Sequence, residues 1–448
     1  MEKENKLGTM PISKLIINMS LPIIISMLVQ ALYNIVDSVF VSRVCEQALT
    51  AVSLAFPAQN LMIGLATGTA VGVNALMGRA LGAKDQQRAN AVAINGVFLA
   101  VVGFAICAVL ALLFAGPFFR SQTQIDYIVE NGTDYLLVCC CGSLGLFCEI
   151  MFERLLQGTG RSILSMYSQG LGAIVNIVLD PIFIFVLDMG VTGAAVATVI
   201  GQFCGCILAL IFNLKKNKEI HLQFRGFRPN WRLVGNIYAI GLPSVIMVAI
   251  GSVMTFCMNK ILIAYHSAKE TAATAFGIYF KLNSFFFMPL FGLNNAVVPI
   301  VAYNYGARNR GRIHQAIRTS TITAVTIMLL GWAAFFFLPV PLLRLFDASE
   351  AMIAIGIPAF RITSFTFPLA AVSIVCSSVF QALGKSMYSM LVSLGRQLIV
   401  LIPVAYLFSL TGVLQDVWLA FPIAEVVCLV SSLFFLKKVL HRLDDFPQ

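Results

Sequence analysis

The sequence predicts an all-α polytopic membrane protein, with twelve transmembrane helices in two six-helix lobes related by internal duplication. Three observations carry this reading. First, 59% of the 448 residues are hydrophobic and only 11% are charged, whereas soluble domains run at about 45–50% apolar and about 25% charged. Mean hydropathy is +0.89. Second, apolar runs of the ~20 residues that a membrane crossing needs recur twelve times. They centre near residues 28, 65, 103, 145, 175, 203, 250, 285, 327, 369, 398 and 427. Third, motifs repeat in order. LGAKDQQR at 81–88 returns as YGARNRGR at 305–312, and QGTGRS at 157–162 returns as QALGKS at 381–386, both shifted by 224. SLP at 20–22 returns as GLP at 241–243.

Each half then holds six spans, an even number, so both halves enter the membrane the same way round. They should be related by an axis along the membrane normal. The expected organisation is an amino-terminal lobe at 1–214, a linker at 215–236 and a carboxy-terminal lobe at 237–448. The linker carries KKNKEIHLQFRGFRPNWR, whose interleaved aromatic and basic residues suit a segment lying on the membrane surface. Threading the chain through twelve spans puts 23 Lys and Arg on the side of the amino terminus and 5 on the other, leaving Lys260 and Lys281 inside spans. Positive residues stay cytoplasmic, so both termini and the linker are expected in the cytosol, with the chain in the cell membrane. The first run follows MEKENKLGTMPISK, which has no small-residue cleavage site, and reads as an uncleaved first helix.

Composition excludes several classes. The net charge of +10 is spread over loops on one side rather than gathered for a nucleic acid. The eleven cysteines have no paired CxxC spacing, so no metal framework is expected. No Walker loop is present, so ion gradients rather than ATP are the expected energy source. Coupling to an ion requires polar or titratable groups inside the membrane.

Five acids lie within spans: Asp37, Glu149, Glu153, Asp180 and Glu425. Asp37 and Asp180 carry the better signal, because Tyr33 and Asn176 precede them by four residues and so share their helix faces. Pro181 cannot donate a backbone hydrogen bond and frees the carbonyl one turn back. Span six offers Thr198 among Gly193, Ala197, Gly201 and Gly205, a small-residue ladder that lets a neighbouring helix approach. Asp37, Asp180, Asn176, Tyr33 and Thr198 together supply hard oxygen ligands and two acids that are costly to leave ionised in a low dielectric. Such a cluster suits a proton or a sodium ion. No other metal and no cofactor is expected.

These stretches resemble the multidrug and toxic compound extrusion (MATE) family over nearly the whole chain. The resemblance rests on YNIVDSVFVS in span one, LGAKDQQRA after span two, LLQGTGRS after span four, NIVLDP in span five and YNYGARNRGR in the second half. The Asp in span one with Asn-x-x-x-Asp-Pro in span five resembles the DinF branch. That resemblance implies a V-shaped pair of lobes and antiport of cationic amphipathic compounds against protons or sodium. It assigns the coupling cluster to the five residues above, and implies a first helix that bends or straightens with the protonation of Asp37. Span seven carries no acid, so the second-lobe cation site of the NorM branch is not expected.

Two other readings compete. A flippase for a lipid-linked anionic precursor would want several cations in its cavity, where only Lys281 qualifies. An intramembrane enzyme would want a histidine or paired catalytic acids in a span, yet His221, His266, His314 and His441 fall in loops or tails. The expected partners are therefore small organic molecules and the bilayer, with the chain a monomer. In the second half, Lys281 and Glu425 lie at similar depth and are expected to pair.

Overall fold

The computed structural model describes residues 5–264, 269–346 and 348–441. Its regular secondary structure among these residues is all helical. Ten helices are long and apolar enough to cross a membrane, and two bent pairs bring the total to twelve. We label them α1 (Ile12–Ser42), α2 (Glu46–Gly82), α3 (Gln86–Gln122), α4 (Asp126–Cys141 with Leu144–Gly158), α5 (Ser162–Pro181) and α6 (Gly190–Lys215). The second half comprises α7 (Trp231–Ile263), α8 (Lys269–Gly306), α9 (Arg310–Phe337), α10 (Glu350–Ser364 with Thr366–Ala382), α11 (Ser386–Ser409) and α12 (Ala420–His441). Exposed residues such as Leu112, Phe256, Leu330 and Val430 are large and apolar, as a hydrocarbon surround demands.

The duplication is visible in the backbone. The non-glycine residues Lys84 and Arg308 both take positive φ, 59° and 54°, at the corresponding turns. Directly after each, Asp85 accepts the Arg88 amide at 2.9 Å and Asn309 accepts the Arg312 amide at 3.0 Å, so each motif caps the next helix. Gly160 and Gly384, also corresponding, take φ 85° and 63°. The fourth helix of each half is broken at the same place, α4 by 44° and α10 by 45°.

Halves meet along α2 with α7 and α8, and along α1 with α8. At the linker end, α2 and α8 cross in a reciprocal contact: Gly82 lies against the Tyr303 carbonyl and Gly306 against the Arg79 carbonyl. A side chain at either glycine would occupy the partner's backbone. Arg79 also donates to the Ala382 carbonyl at 2.9 and 2.7 Å, and Arg312 to the carbonyls of Leu7 and Met10 at 3.0 and 2.8 Å. This end of the bundle is closed.

The linker is extended rather than helical, and α7 already begins at Trp231, capped by Asn230. It runs along the start of α3, where Asn90 accepts the His221 amide at 2.8 Å and Asn95 accepts the Asn230 amide at 3.0 Å. Two assignments from sequence are corrected. Arg396, which the twelve-span threading places among the 23 basic residues on the side of the amino terminus, lies inside α11, because hydropathy alone does not mark depth. His314 and His441 belong to α9 and α12, near their ends, and His266 lies outside the described residues.

Candidate functional site

Three helices of the first half build the site. α5 runs as α-helix to Pro181 and then widens into a π turn at Ile182–Val186. This leaves Asn176 and Asp180 one turn apart on a single buried face. α6 approaches because its ladder lacks side chains: a Cβ at Gly201 would lie 2.7 Å from the Gly172 carbonyl, and one at Gly193 2.7 Å from the Phe183 carbonyl. The close approach carries Thr198 to Asn176. With the amide turned so that both ends are satisfied, Asn176 accepts from the Thr198 amide and hydroxyl at 3.1 Å each and donates to Asp180 Oδ2 at 3.3 Å.

Asp180 is fully buried, and Asp37 on α1 is buried within electrostatic reach of it. Oδ1 of Asp37 has no hydrogen-bond partner among the described residues. Asn176 thus bonds Asp180 one turn on, whereas Tyr33, one turn before Asp37, lines the cavity beside the cluster. An unpaired carboxylate oxygen beside a second buried acid is costly unless a cation or a proton is held there.

A cavity of about 270 Å³ opens beside this cluster, lined by Tyr33, Asn176 and Thr198 but also by Glu149 and Glu153 of α4. Both glutamates are buried. Ser168 donates to Glu153 at 3.4 Å, and the Glu149 carboxylate lies in the space that a side chain at Gly205 would fill. Sequence reasoning ranked these two acids below Asp37 and Asp180. Their own i, i+4 spacing was the available signal that they share a face.

The second half differs. Its cavity, about 600 Å³, is lined by α7, α8, α10, α11 and α12 with Asn60 of α2. The expected Lys281–Glu425 pair does not form. Lys281 is exposed, and Glu425 Oε2 instead accepts from Arg396 Nη1 at 3.0 Å. Equal depth did not suffice, since each residue advances about 100° around a helix and Lys281 points away from the cavity that Glu425 lines. A π turn at Gly395–Leu401 carries Arg396 to Glu425.

The MatE family model matches residues 22–182 and 243–407, one stretch in each half. The chain belongs to the MatE family. It is accordingly a multi-pass membrane transporter and not an enzyme. It is 25% identical to the multidrug export protein MepA of Staphylococcus aureus (strain bovine RF122 / ET3-1), over 97% of this chain and 95% of that protein. It also matches a solved MOP superfamily transporter from Pyrococcus furiosus, described as having a binding pocket of reverse polarity. That match has 27% identity and a TM-score of 0.93, covering 99% of each chain. An outward-facing structure of a multidrug resistance MATE family transporter of the same superfamily matches with TM-score 0.92 and 27% identity over 99% of each chain.

Proposed function

We propose that this transporter is a cation-coupled antiporter of the DinF-like branch, exporting cationic amphipathic organic compounds from the cell. The observation that carries the reading is the Asp180–Asn176–Thr198 chain beside the unpaired oxygen of Asp37, set in otherwise apolar helices. Asp37 and Asp180 hold the coupling cation, either a proton or sodium. Asn176 and Thr198 position Asp180 and offer a carbonyl and a hydroxyl oxygen to an alkali ion. Tyr33 stands at the wall between the cluster and the cavity. A cationic substrate entering that cavity meets Glu149 and Glu153, and a second positive charge beside it weakens the hold on the coupling cation. The two loads thus exclude one another by Coulomb repulsion, which is the requirement for exchange. The multidrug export proteins similar to this chain support an organic substrate.

The same reading divides the chain at 1–214, 215–236 and 237–448 and puts both termini and the linker in the cytosol of a cell-membrane protein acting as a monomer. Reciprocal closure by Gly82 and Gly306 is then a cytoplasmic gate. A flippase for an anionic headgroup is disfavoured, because the one arginine in the second cavity is neutralised by Glu425.

The test is transport by purified protein in liposomes with proton and sodium gradients imposed separately. Dye movement should follow one gradient, and Asp37→Asn and Asp180→Asn should each abolish it while leaving folded yield intact. Gradient-driven transport at the wild-type rate in either variant would remove that residue from the coupling site.

A further inference from the structure

The second cavity contains a charge arrangement that coupling does not use. Arg396 and Glu425 form an ion pair deep in the second half, yet the two side chains differ in access: 35% of Arg396 remains exposed against 5% of Glu425. Arg396 lines the cavity, and a guanidinium carries five N–H donors. Among the described residues, only Nη1 is engaged, by Glu425. Oε1 of Glu425 is buried with no hydrogen-bond partner among them. The pair is therefore incomplete on both sides, an arginine with spare donors and a carboxylate with a spare acceptor.

The surroundings are those of a ligand pocket. About 600 Å³ falls within the usual range for small-molecule sites. Tyr279, Phe287 and Phe421 supply ring surface, while Ser377, Asn283 and Gln397 supply hydrogen-bonding groups. Arg396 enters through the π turn at Gly395–Leu401, a distortion that recurs at functional sites.

We propose that this cavity is a binding site for zwitterionic aromatic compounds, whose carboxylate docks on the free donors of Arg396. The inference rests on the export reading above and deepens it by naming a second substrate class and its receptor. Charge balance selects the class. Arg396 and Glu425 sum to zero, so a simple organic anion would leave an unbalanced negative charge in a low dielectric, and a simple cation an unbalanced positive one. A zwitterion adds none. Its ammonium meets the faces of the aromatic rings within the field of Glu425, while its carboxylate gains the planar fork of the guanidinium.

Two fluorescent probes isolate the carboxylate. Nε-dansyl-lysine is a zwitterion, and dansylcadaverine is the same molecule without the carboxylate. Titrated against the purified full-length protein, dansyl-lysine should bind about tenfold tighter, the yield of one charged hydrogen-bonded contact. Arg396→Gln with Glu425→Gln removes both charges together and should bring the ratio to about one. Gly251→Leu tests the site without touching the pair. A Cβ there meets only Gln397 Oε1, at 3.8 Å, so the larger side chain fills the cavity, and dansyl-lysine affinity should fall by about tenfold or more. Equal binding of the two probes by the wild type would overturn the proposal. So would a preference that survives in the double variant, or full affinity in Gly251→Leu, which decides the matter if the double variant fails to fold. If the probes bind equally while a cationic dye still follows an imposed gradient, this site fails and the antiport reading stands. A clear preference without gradient-driven transport would sink the antiport reading instead.

Discussion

Gly201→Ala should uncouple transport while leaving the protein folded. The added methyl would lie 2.7 Å from the Gly172 carbonyl and 3.2 Å from Asn176 Cβ, whereas ordinary contact begins at 3.4 Å. The first obstacle is backbone, which cannot rotate away, so α5 and α6 must separate locally by about 0.7 Å. Asn176 accepts from Thr198 at 3.1 Å. That contact would lengthen to roughly 3.8 Å, beyond hydrogen-bonding range, and Asp180 would lose the partner that orients its bridging amide. Overpacking of this kind costs about 1–3 kcal/mol, which a twelve-helix bundle tolerates. Proteoliposome efflux under the coupling gradient should fall at least tenfold, while size-exclusion profile and thermal melt change little. Gly170→Ala on the facing helix α5 is the control, because nothing lies within 4 Å of its Cβ. It should keep wild-type transport. A folded Gly201→Ala protein that couples as well as the Gly170→Ala control would show that the Asn176–Thr198 contact is dispensable.

Glu425→Gln should destabilise the protein toward the lower end of the ~3–5 kcal/mol typical of a broken buried pair, since Arg396 keeps partial access to the cavity. Lys281→Ala should leave the melting temperature within measurement error, and an equal loss in both would restore the Lys281 pairing. Removing the Arg79 tie to Ala382 by Arg79→Gln forfeits two charged hydrogen bonds, about 1.5–3 kcal/mol each. Spin-label distances between the halves at the linker end should shift toward an open population, and an unchanged distribution would mean that the Gly82–Gly306 contact and the Arg312 ties hold that end without Arg79. Arg228→Cys in a cysteine-depleted background should resist an impermeant thiol reagent applied to intact cells, whereas strong labelling would invert the proposed topology.

The sequence by itself determined the number of crossings, the duplication and most of the residues of the proposed coupling cluster. Each of these is local or periodic. Hydrocarbon thickness fixes the length of every apolar run, and a repeated turn such as LGAKDQQR carries its own cap and positive φ wherever it occurs. Asn176 and Asp180 were legible because one helix turn fixes their spacing, and Thr198 because the glycines around it announce a close neighbour. The tertiary structure decided everything that depends on which way a helix faces and what lies across from it. Counting residues put Lys281 and Glu425 at one depth, but rotation about the helix axis sent Lys281 to the surface and left Glu425 inside. Arg396 looked like a loop cation until α11 was seen to pass it through the core on a π turn. Glu149 and Glu153 carry no partner signal in sequence beyond their own spacing, and only the packing of α4 against α5 and α6 brings them to the cavity. Depth follows from the chain, but azimuth and partner follow only from packing, because many rotations of a uniformly apolar helix bury nearly the same hydrophobic area while only one satisfies its few polar groups.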